Sequence, residues 1–291
     1  MSDQVSATAL QPAQVAAAVE AGAAAKGNQS VLQTVLLALL GGMFLALGAA
    51  FSTAVLAGNG VGEAIALPFG LIQILAGVAF ALGFVLVVAA GGQLFTGNDL
   101  LLVATMGGKL SPVTLVLNWF VVLLCNAVGA VAVAFLLHLA GNHLLADGQV
   151  GATTLALAEA KCSMGFVPAL IRGILCNMLV CGAVILAHAG RNITDKIVAL
   201  VLPITAIVVL GLEHLIANLY IIPSAVLIKM QATDAFWNDL YIRATDFGSV
   251  TWQNGLQANL LPVLLGNLIG GVVCVSLLYA LAYRVFGSES S

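Results

Sequence analysis

The sequence predicts an all-α membrane protein with six transmembrane helices, in which helices 2 and 5 are broken. Two observations carry this fold class. First, 62% of the 291 residues are hydrophobic and 7% are charged, with a mean hydropathy of +1.12, whereas soluble domains average about 25% charged residues. Second, six stretches are long and apolar enough to span a bilayer, which takes about 20 residues. The net charge of −3 is too small to predict a nucleic-acid partner.

The six apolar stretches define the domain organisation. They cover about 31–57, 64–106, 112–140, 164–190, 197–228 and 258–286. Before them, an alanine-rich run at 11–26 that starts with Gln11-Pro12 predicts a short helix on the membrane surface. We therefore divide the chain into an N-terminal segment with a surface amphipathic helix (1–30), a six-helix transmembrane domain (31–286) and a short C-terminal tail (287–291).

Six crossings place both termini on the same side of the membrane. The segments on that side hold five basic residues: Lys26, Lys109, Arg191, Lys196 and Arg284. The opposite loops hold three: Lys161, Lys229 and Arg243. The positive-inside rule therefore favours cytoplasmic termini for this multi-pass protein, which we expect in the plasma (inner) membrane.

The second and fifth stretches are too long for plain helices. At about 1.5 Å per residue, a helix over 64–106 would extend about 65 Å, twice the roughly 30 Å hydrocarbon core. Both stretches carry glycine and polar residues in mid-run, and we predict breaks at 91–99 and 211–218. The first break reads Gly-Gly-Gln-Leu-Phe-Thr-Gly-Asn-Asp, and the second reads Gly-Leu-Glu-His-Leu-Ile-Ala-Asn.

Matching positions in the two halves predict an inverted repeat. The breaks fall in the second and fifth segments, and the third and sixth segments share Asn126-Ala-Val-Gly129 and Asn267-Leu-Ile-Gly270. We find no match between the first and fourth segments. Broken segments at equivalent positions of an inverted repeat indicate a substrate path near the membrane midplane.

Polar groups at membrane depth are costly and are therefore functional candidates. His214 is the strongest, because its titration near neutrality suits proton exchange with a small anion, although a histidine can also tie down unwound backbone. Glu213 is expected to accept hydrogen bonds from the backbone N–H groups of the break, and Asn177 to orient His214. Lys161 and Arg172 flank the outer end of the fourth segment, where they would concentrate anions, although Arg172 equally suits a membrane anchor.

Three other function classes fit less well. An enzyme would need a nucleophile with its base, or paired carboxylates, and the predicted membrane interior holds a single histidine. No cysteine or histidine pattern indicates a metal or any other cofactor. An aquaporin-like channel for neutral solutes uses a similar repeat, but its twin Asn-Pro-Ala motifs are absent. A pore for a small charged or protonatable solute remains.

The two breaks resemble the signature breaks of the formate/nitrite transporter family. The similarity runs from about Pro12 to Phe286, and the stretch 217–223 looks most like the formate-channel branch. Further motifs that carry it are Arg172-Gly-Ile-Leu-Cys-Asn-Met-Leu-Val-Cys181, Thr194-Asp-Lys196 and Gly266-Asn-Leu-Ile-Gly-Gly271. The resemblance implies a homopentamer of aquaporin-like protomers, each with its own pore. The implied substrates are small monovalent anions of weak acids, formate first, with nitrite, acetate, lactate and hydrosulfide left open.

The same resemblance implies roles for individual residues, all named here by motif position. The central chamber comprises His214, Thr96, Asn177, Glu213 and Asn218. The outer constriction comprises Phe80, Phe95 and Val180, and the inner one Phe84, Leu94 and Ile207. Lys161 would attract anions. Gln93 departs from the family, which usually has glutamate there. Ile207 stands where formate channels tend to have phenylalanine, and Phe84 where they tend to have leucine. We also expect Gly266 and Gly270 to pack at subunit interfaces.

Overall fold

The computed structural model describes residues 10–57 and 67–285, and all helices and turns below lie within these ranges. The polar join at Gly58-Asn59-Gly60 and the predicted tail at 287–291 lie outside them. The helices are α1 (Pro12–Gly27), α2 (Val31–Leu56), α3 (Phe69–Ala89), α4 (Leu101–Met106), α5 (Pro112–Leu139), α6 (Gln149–Cys162), α7 (Phe166–Ala189), α8 (Ile193–Val209), α9 (Leu215–Gln231) and α10 (Asp234–Asp239). The last helix runs from Trp252–Asn254 through π-helical turns at Gly255–Leu260 and Ile269–Leu277 to Leu278–Val285.

Within the described ranges, five helices are long and apolar enough to cross a membrane, and these are α2, α3, α5, α7 and the last helix. The fifth predicted segment consists of α8 and α9, 17 residues each, with the second break between them. Large apolar side chains are exposed on the outer faces, for example Phe120 (60% exposed) and Leu202 (72%). Such a surface suits contact with lipid or with neighbouring subunits. The all-helical membrane fold is therefore confirmed.

Local capping explains where several helices begin. The Ser30 and Ser111 side chains accept hydrogen bonds from the backbone N–H groups three residues on, at the starts of α2 and α5. Pro112 occupies the first turn of α5, where its missing N–H costs nothing. Asn192 and Asp195 form a reciprocal capping box at the start of α8.

Two boundaries differ from the prediction. Residues 149–162, which lie between the third and fourth predicted stretches, form α6. Val150, Thr154, Leu155 and Ala158 give this helix a buried face, although its composition is too polar for a span. The last helix begins at Trp252 rather than at 258, since the Thr251 hydroxyl caps it by accepting from the Asn254 N–H.

Both breaks are present and both turn at a glycine. The first runs from the end of α3 to a 3₁₀ turn at Gly97–Leu100 that leads into α4, and Gly91 has φ +69°. The second lies between α8 and α9, and Gly211 has φ +62°. These left-handed conformations favour glycine. The second break ends at His214, the N-cap of α9, so the predicted extension to residue 218 is wrong.

Equivalent hydrogen bonds relate the two halves. Asn126 on α5 accepts from the Phe95 N–H and donates to the carbonyl oxygens of Gln93 and Ala38. Asn267 on the last helix accepts from the Leu215 N–H and donates to the carbonyl oxygens of Glu213 and Gly173. Each asparagine therefore satisfies backbone groups that its break leaves free. Because Ala38 lies on α2 and Gly173 on α7, these bonds also pair the first and fourth segments, which sequence comparison did not match.

Gly266 and Gly270 pack inside the protomer. A Cβ atom at Gly266 would collide with the carbonyl oxygen of Leu170 on α7, and one at Gly270 with that of Ile174. The prediction that these glycines lie at subunit interfaces is therefore wrong. They allow the last helix to approach α7 closely enough for Asn267 to reach the second break.

Replacing Gly270 with alanine is expected to lower the thermal stability of the detergent-purified protein. The added methyl group has no room against α7, and overpacking of this kind costs about 1–3 kcal/mol. Gly182→Ala on α7 is the matched control, because a Cβ there meets no atom within 4 Å. Equal unfolding temperatures for the two variants would contradict the close contact.

Candidate transport pathway

Glu213 is the centre of a buried polar cluster at the second break. Its carboxylate is bound by the Lys161 ammonium, with Nζ 2.9 Å from each oxygen, and by the amides of Asn218 (2.6 Å) and Asn259 (3.0 Å). The Glu213 and Lys161 side chains are 4% and 13% exposed. The predicted bonds from backbone N–H groups are replaced by bonds from side-chain donors. The cluster locks α6, the break, α9 and the last helix together around an ion pair.

Gln93 occupies the equivalent position in the first break. Its side-chain oxygen accepts from the side-chain amides of Asn98 (2.5 Å) and Asn118 (3.2 Å), and its side-chain nitrogen donates to the side-chain oxygen of Gln29 (2.6 Å). The arrangement repeats that of Glu213, except that the Gln29 amide stands where the other half has a lysine. An uncharged glutamine at position 93 is therefore paired with an uncharged glutamine at position 29. The Gln93 amide bonds to protein groups rather than to an anion.

Gln93→Glu alone is expected to destabilise the protein by about 3–5 kcal/mol, because it buries a carboxylate without a cation. Adding Gln29→Lys should recover most of this loss by recreating the ion pair of the other half. A double-mutant cycle on thermal or denaturant unfolding at pH 7–8 measures the coupling. Additive effects of the two substitutions would show that the halves are not equivalent in this respect.

His214 faces the first break across the centre of the protomer. Its Nε2 atom lies 3.0 Å from the Thr96 hydroxyl, and its Nδ1 atom accepts from the Ala217 N–H at 3.4 Å. Because Nδ1 is an acceptor, the neutral ring carries its proton on Nε2 and donates it to Thr96. A second proton, on Nδ1, would displace the cap of α9. Protonation and the conformation of the break are therefore linked.

Two cavities approach His214 from opposite ends. The first, here the Lys161 cavity, has a volume of about 370 Å³; its lining includes Phe80, Lys161, Arg172, Ile207, Glu213, His214 and Asn218. The second, the Lys26 cavity, has a volume of about 240 Å³; its lining includes Lys26, Phe84, Leu94, Val180, His188 and Lys196. The rings of Phe80, Phe84 and His214 lie between them, with centroid separations of 5.4–6.4 Å.

The two cavities show on which side of His214 the residues predicted for the constrictions lie. Phe80 lies on the Lys161 side, and Phe84 and Leu94 lie on the Lys26 side, as assigned. Ile207 lines the Lys161 cavity and Val180 lines the Lys26 cavity, each opposite to the side that motif position implies. The repeat explains why: Ile207 accepts from the Leu212 N–H as Val87 accepts from the Gly92 N–H, and Val87 lines the Lys26 cavity. Its equivalent must therefore line the opposite one. Phe95 lines neither cavity; its backbone bonds to Asn126.

Asn177 does not orient His214. It is fully buried and donates to the Asp99 carboxylate (2.7 Å) and to the carbonyl oxygen of Asn267 (2.8 Å). It therefore ties the turn after the first break to α7 and the last helix, and neither cavity is lined by it. Sequence reasoning did not assign Asp99 a role, although it is the one acidic residue between positions 64 and 106.

Helix α1 closes part of the Lys26 cavity. Its face of Val15, Ala16, Val19 and Ala23 is buried, and it packs mainly on α4 and α7. Lys26 donates to the carbonyl oxygen of Gly92 at 3.4 Å, and burial lowers its pKa from 10.5 to about 8. The helix is confirmed as an element, and its place on the membrane surface stays a prediction.

Comparison with known proteins agrees with this geometry. A family model described as formate/nitrite transporter matches residues 13–281. The formate channel FocA of Escherichia coli (strain K12) is 35% identical over 94% of both chains, and FocA of Haemophilus influenzae is 32% identical over 94% of both. A solved structure described as a pentameric formate channel with formate bound has 37% identity and a TM-score of 0.80, covering 87% of this chain and 97% of that one. This multi-pass membrane protein belongs to the formate/nitrite transporter family.

Proposed function

We propose that the chain forms a homopentameric channel that carries formate across the plasma (inner) membrane, with a separate pore in each protomer and cytoplasmic termini. It is a transporter rather than an enzyme. The observation that carries the proposal is the His214–Thr96 pair between two cavities that open toward opposite ends of the protomer. The pentamer and the substrate are supported by the 37% identical solved structure, which is described as pentameric and formate-bound.

The physical basis is the behaviour of a weak-acid anion in an apolar passage. Formate enters from a cavity that carries cationic side chains and meets the Phe80 and Phe84 rings. Removing its hydration there is costly, and desolvation raises the pKa of a carboxyl group. A proton delivered through His214 lets formic acid pass as a neutral molecule. Thr96 holds the His214 ring at the passage.

The other residues named for the chamber support His214 rather than meet the substrate. Glu213 and Asn218 hold the break that carries His214. Asn177 fixes the turn that follows Thr96 through Asp99. Lys161, which by motif position attracts anions, is paired with Glu213.

Uptake into proteoliposomes tests this function. Formate uptake should saturate, rise in pentamer-containing vesicles over empty ones, and change between about pH 5 and pH 8. Nitrite, as the second substrate of the family, and glycerol, as a neutral solute, serve as comparisons. Faster passage of nitrite would reassign the substrate, and passage of glycerol without formate would favour an aquaporin-like pore.

A further inference from the structure

We propose that Arg172, not Lys161, is the side chain that captures the anion in the Lys161 cavity, and that it selects planar anions with two oxygens. This inference rests on the proposed transport of a small anion and names the residue and the anion geometry behind it. It follows from the charges that line the cavity, from the position of the guanidinium and from the geometry of its donors.

The charge of Lys161 is already compensated. Both Glu213 oxygens lie 2.9 Å from its Nζ atom, and the pair is almost fully buried. An ion pair of this kind presents little net charge to a nearby anion, and removing the lysine would leave Glu213 uncompensated. Lys161 is therefore better placed to hold the break than to recruit a substrate.

Arg172 is the uncompensated cation of this cavity. The charged residues that line the cavity include Lys161, Arg172 and Glu213. Because the opposite charges of Lys161 and Glu213 cancel, the charge of Arg172 remains. Arg172 is exposed, and no carboxylate lies within 4 Å of it in the part of the chain that the structure describes. A guanidinium stays charged at every physiological pH. Among the described lining residues it therefore supplies the net positive potential.

The second break brings Arg172 into the cavity that His214 also lines. The Arg172 carbonyl oxygen accepts from the Glu213 N–H at 3.4 Å, which joins α7 to the break. The guanidinium lies over Gly211, with Nη1 3.9 Å from the place that a Cβ of residue 211 would occupy. An anion held there is therefore within the same cavity as the His214 ring, which lies three residues along the break from Gly211.

The fork of guanidinium donors defines the class of anion. Two parallel N–H groups match the two oxygens of a carboxylate or of nitrite, and such bidentate pairs are stronger and more directional than contacts with a point charge. Formate and nitrite fit this geometry. Hydrosulfide has a single compact charge and gains nothing from the fork.

Concentration-dependent uptake by proteoliposomes tests the inference with three variants. Arg172→Gln is expected to raise the half-saturating formate concentration about tenfold while leaving the saturated rate within about twofold, and to flatten its dependence on ionic strength. Arg172→Lys keeps the charge and loses the fork. It should therefore keep wild-type hydrosulfide uptake and remain several-fold weaker for formate. Arg191→Gln removes an arginine just beyond the opposite end of α7 and should change neither formate uptake nor hydrosulfide uptake. Elution of each variant as a pentamer controls for folding.

The outcomes separate this inference from the proposed function. If wild-type vesicles take up no formate, the substrate proposal fails, and the same variants are then compared with nitrite. The assignment of Arg172 is overturned if Arg172→Gln keeps the wild-type half-saturating concentration for the anion that is transported. Equal formate uptake by Arg172→Lys and wild type would overturn the selection of two-oxygen anions.

Discussion

Replacing His214 with asparagine is expected to flatten the pH dependence of formate uptake between about pH 5 and 8 while leaving a folded, conducting protein. Imidazole is the side chain whose reference pKa, about 6.5, lies in this range. The asparagine amide oxygen overlays Nδ1 and can still accept from the Ala217 N–H, whereas the Nε2 bond to Thr96 is lost, and an amide does not titrate in this range. We expect the ratio of formate uptake at acid pH to formate uptake at neutral pH to fall by about tenfold. This is somewhat less than a positioned general acid contributes in catalysis.

A second substitution separates titration from hydrogen bonding. His214→Phe removes the Thr96 bond and the cap of α9 together, so it should lose stability as well as pH dependence. His143→Asn is the control, because this histidine lies in the turn Asn142–Leu144 outside both cavities. If His214→Asn keeps the wild-type pH profile, the ring is a structural clamp of the break and the proton comes from elsewhere.

The sequence predicted the features that depend on local composition. Hydropathy located the spans, and glycine beside polar residues located both breaks, because unwound backbone needs left-handed turns and polar partners wherever it occurs. The repeat was found through Asn126 and Asn267 for the same reason. Each is a polar residue in an apolar helix, and each satisfies backbone groups of its break.

Features that depend on distant partners were not predictable in this way. The pairing of Glu213 with Lys161 spans 52 positions and that of Gln93 with Gln29 spans 64. Helix α6, which carries Lys161, is too polar to appear as a span, and its buried face is visible only against α9. The side on which Ile207 lies follows from the equivalent backbone hydrogen bonds of the two breaks, which the sequence does not reveal.

Enlarging Phe84 to tryptophan is expected to abolish formate uptake in a protein that still assembles. Phe84 is 2% exposed and lines the Lys26 cavity, and its ring lies 5.6 Å from that of Phe80 and 5.4 Å from that of His214, which both line the Lys161 cavity. An indole fills the remaining space at a packing cost of about 1–3 kcal/mol, which a stable pentamer survives. Phe120→Trp, on the exposed face of α5, is the matched control and should conduct normally.

Phe84→Ala tests the same wall in the opposite direction. Removing the ring joins the Lys161 and Lys26 cavities around His214, so acetate and lactate should gain uptake relative to formate. The deletion also costs about 3–5 kcal/mol of stability in a packed core, and uptake is therefore normalised to intact pentamer. The lactate-to-formate uptake ratio is the measurement that decides. An unchanged ratio in Phe84→Ala, together with normal flux in Phe84→Trp, would make Phe84 a core residue and place the selective constriction elsewhere.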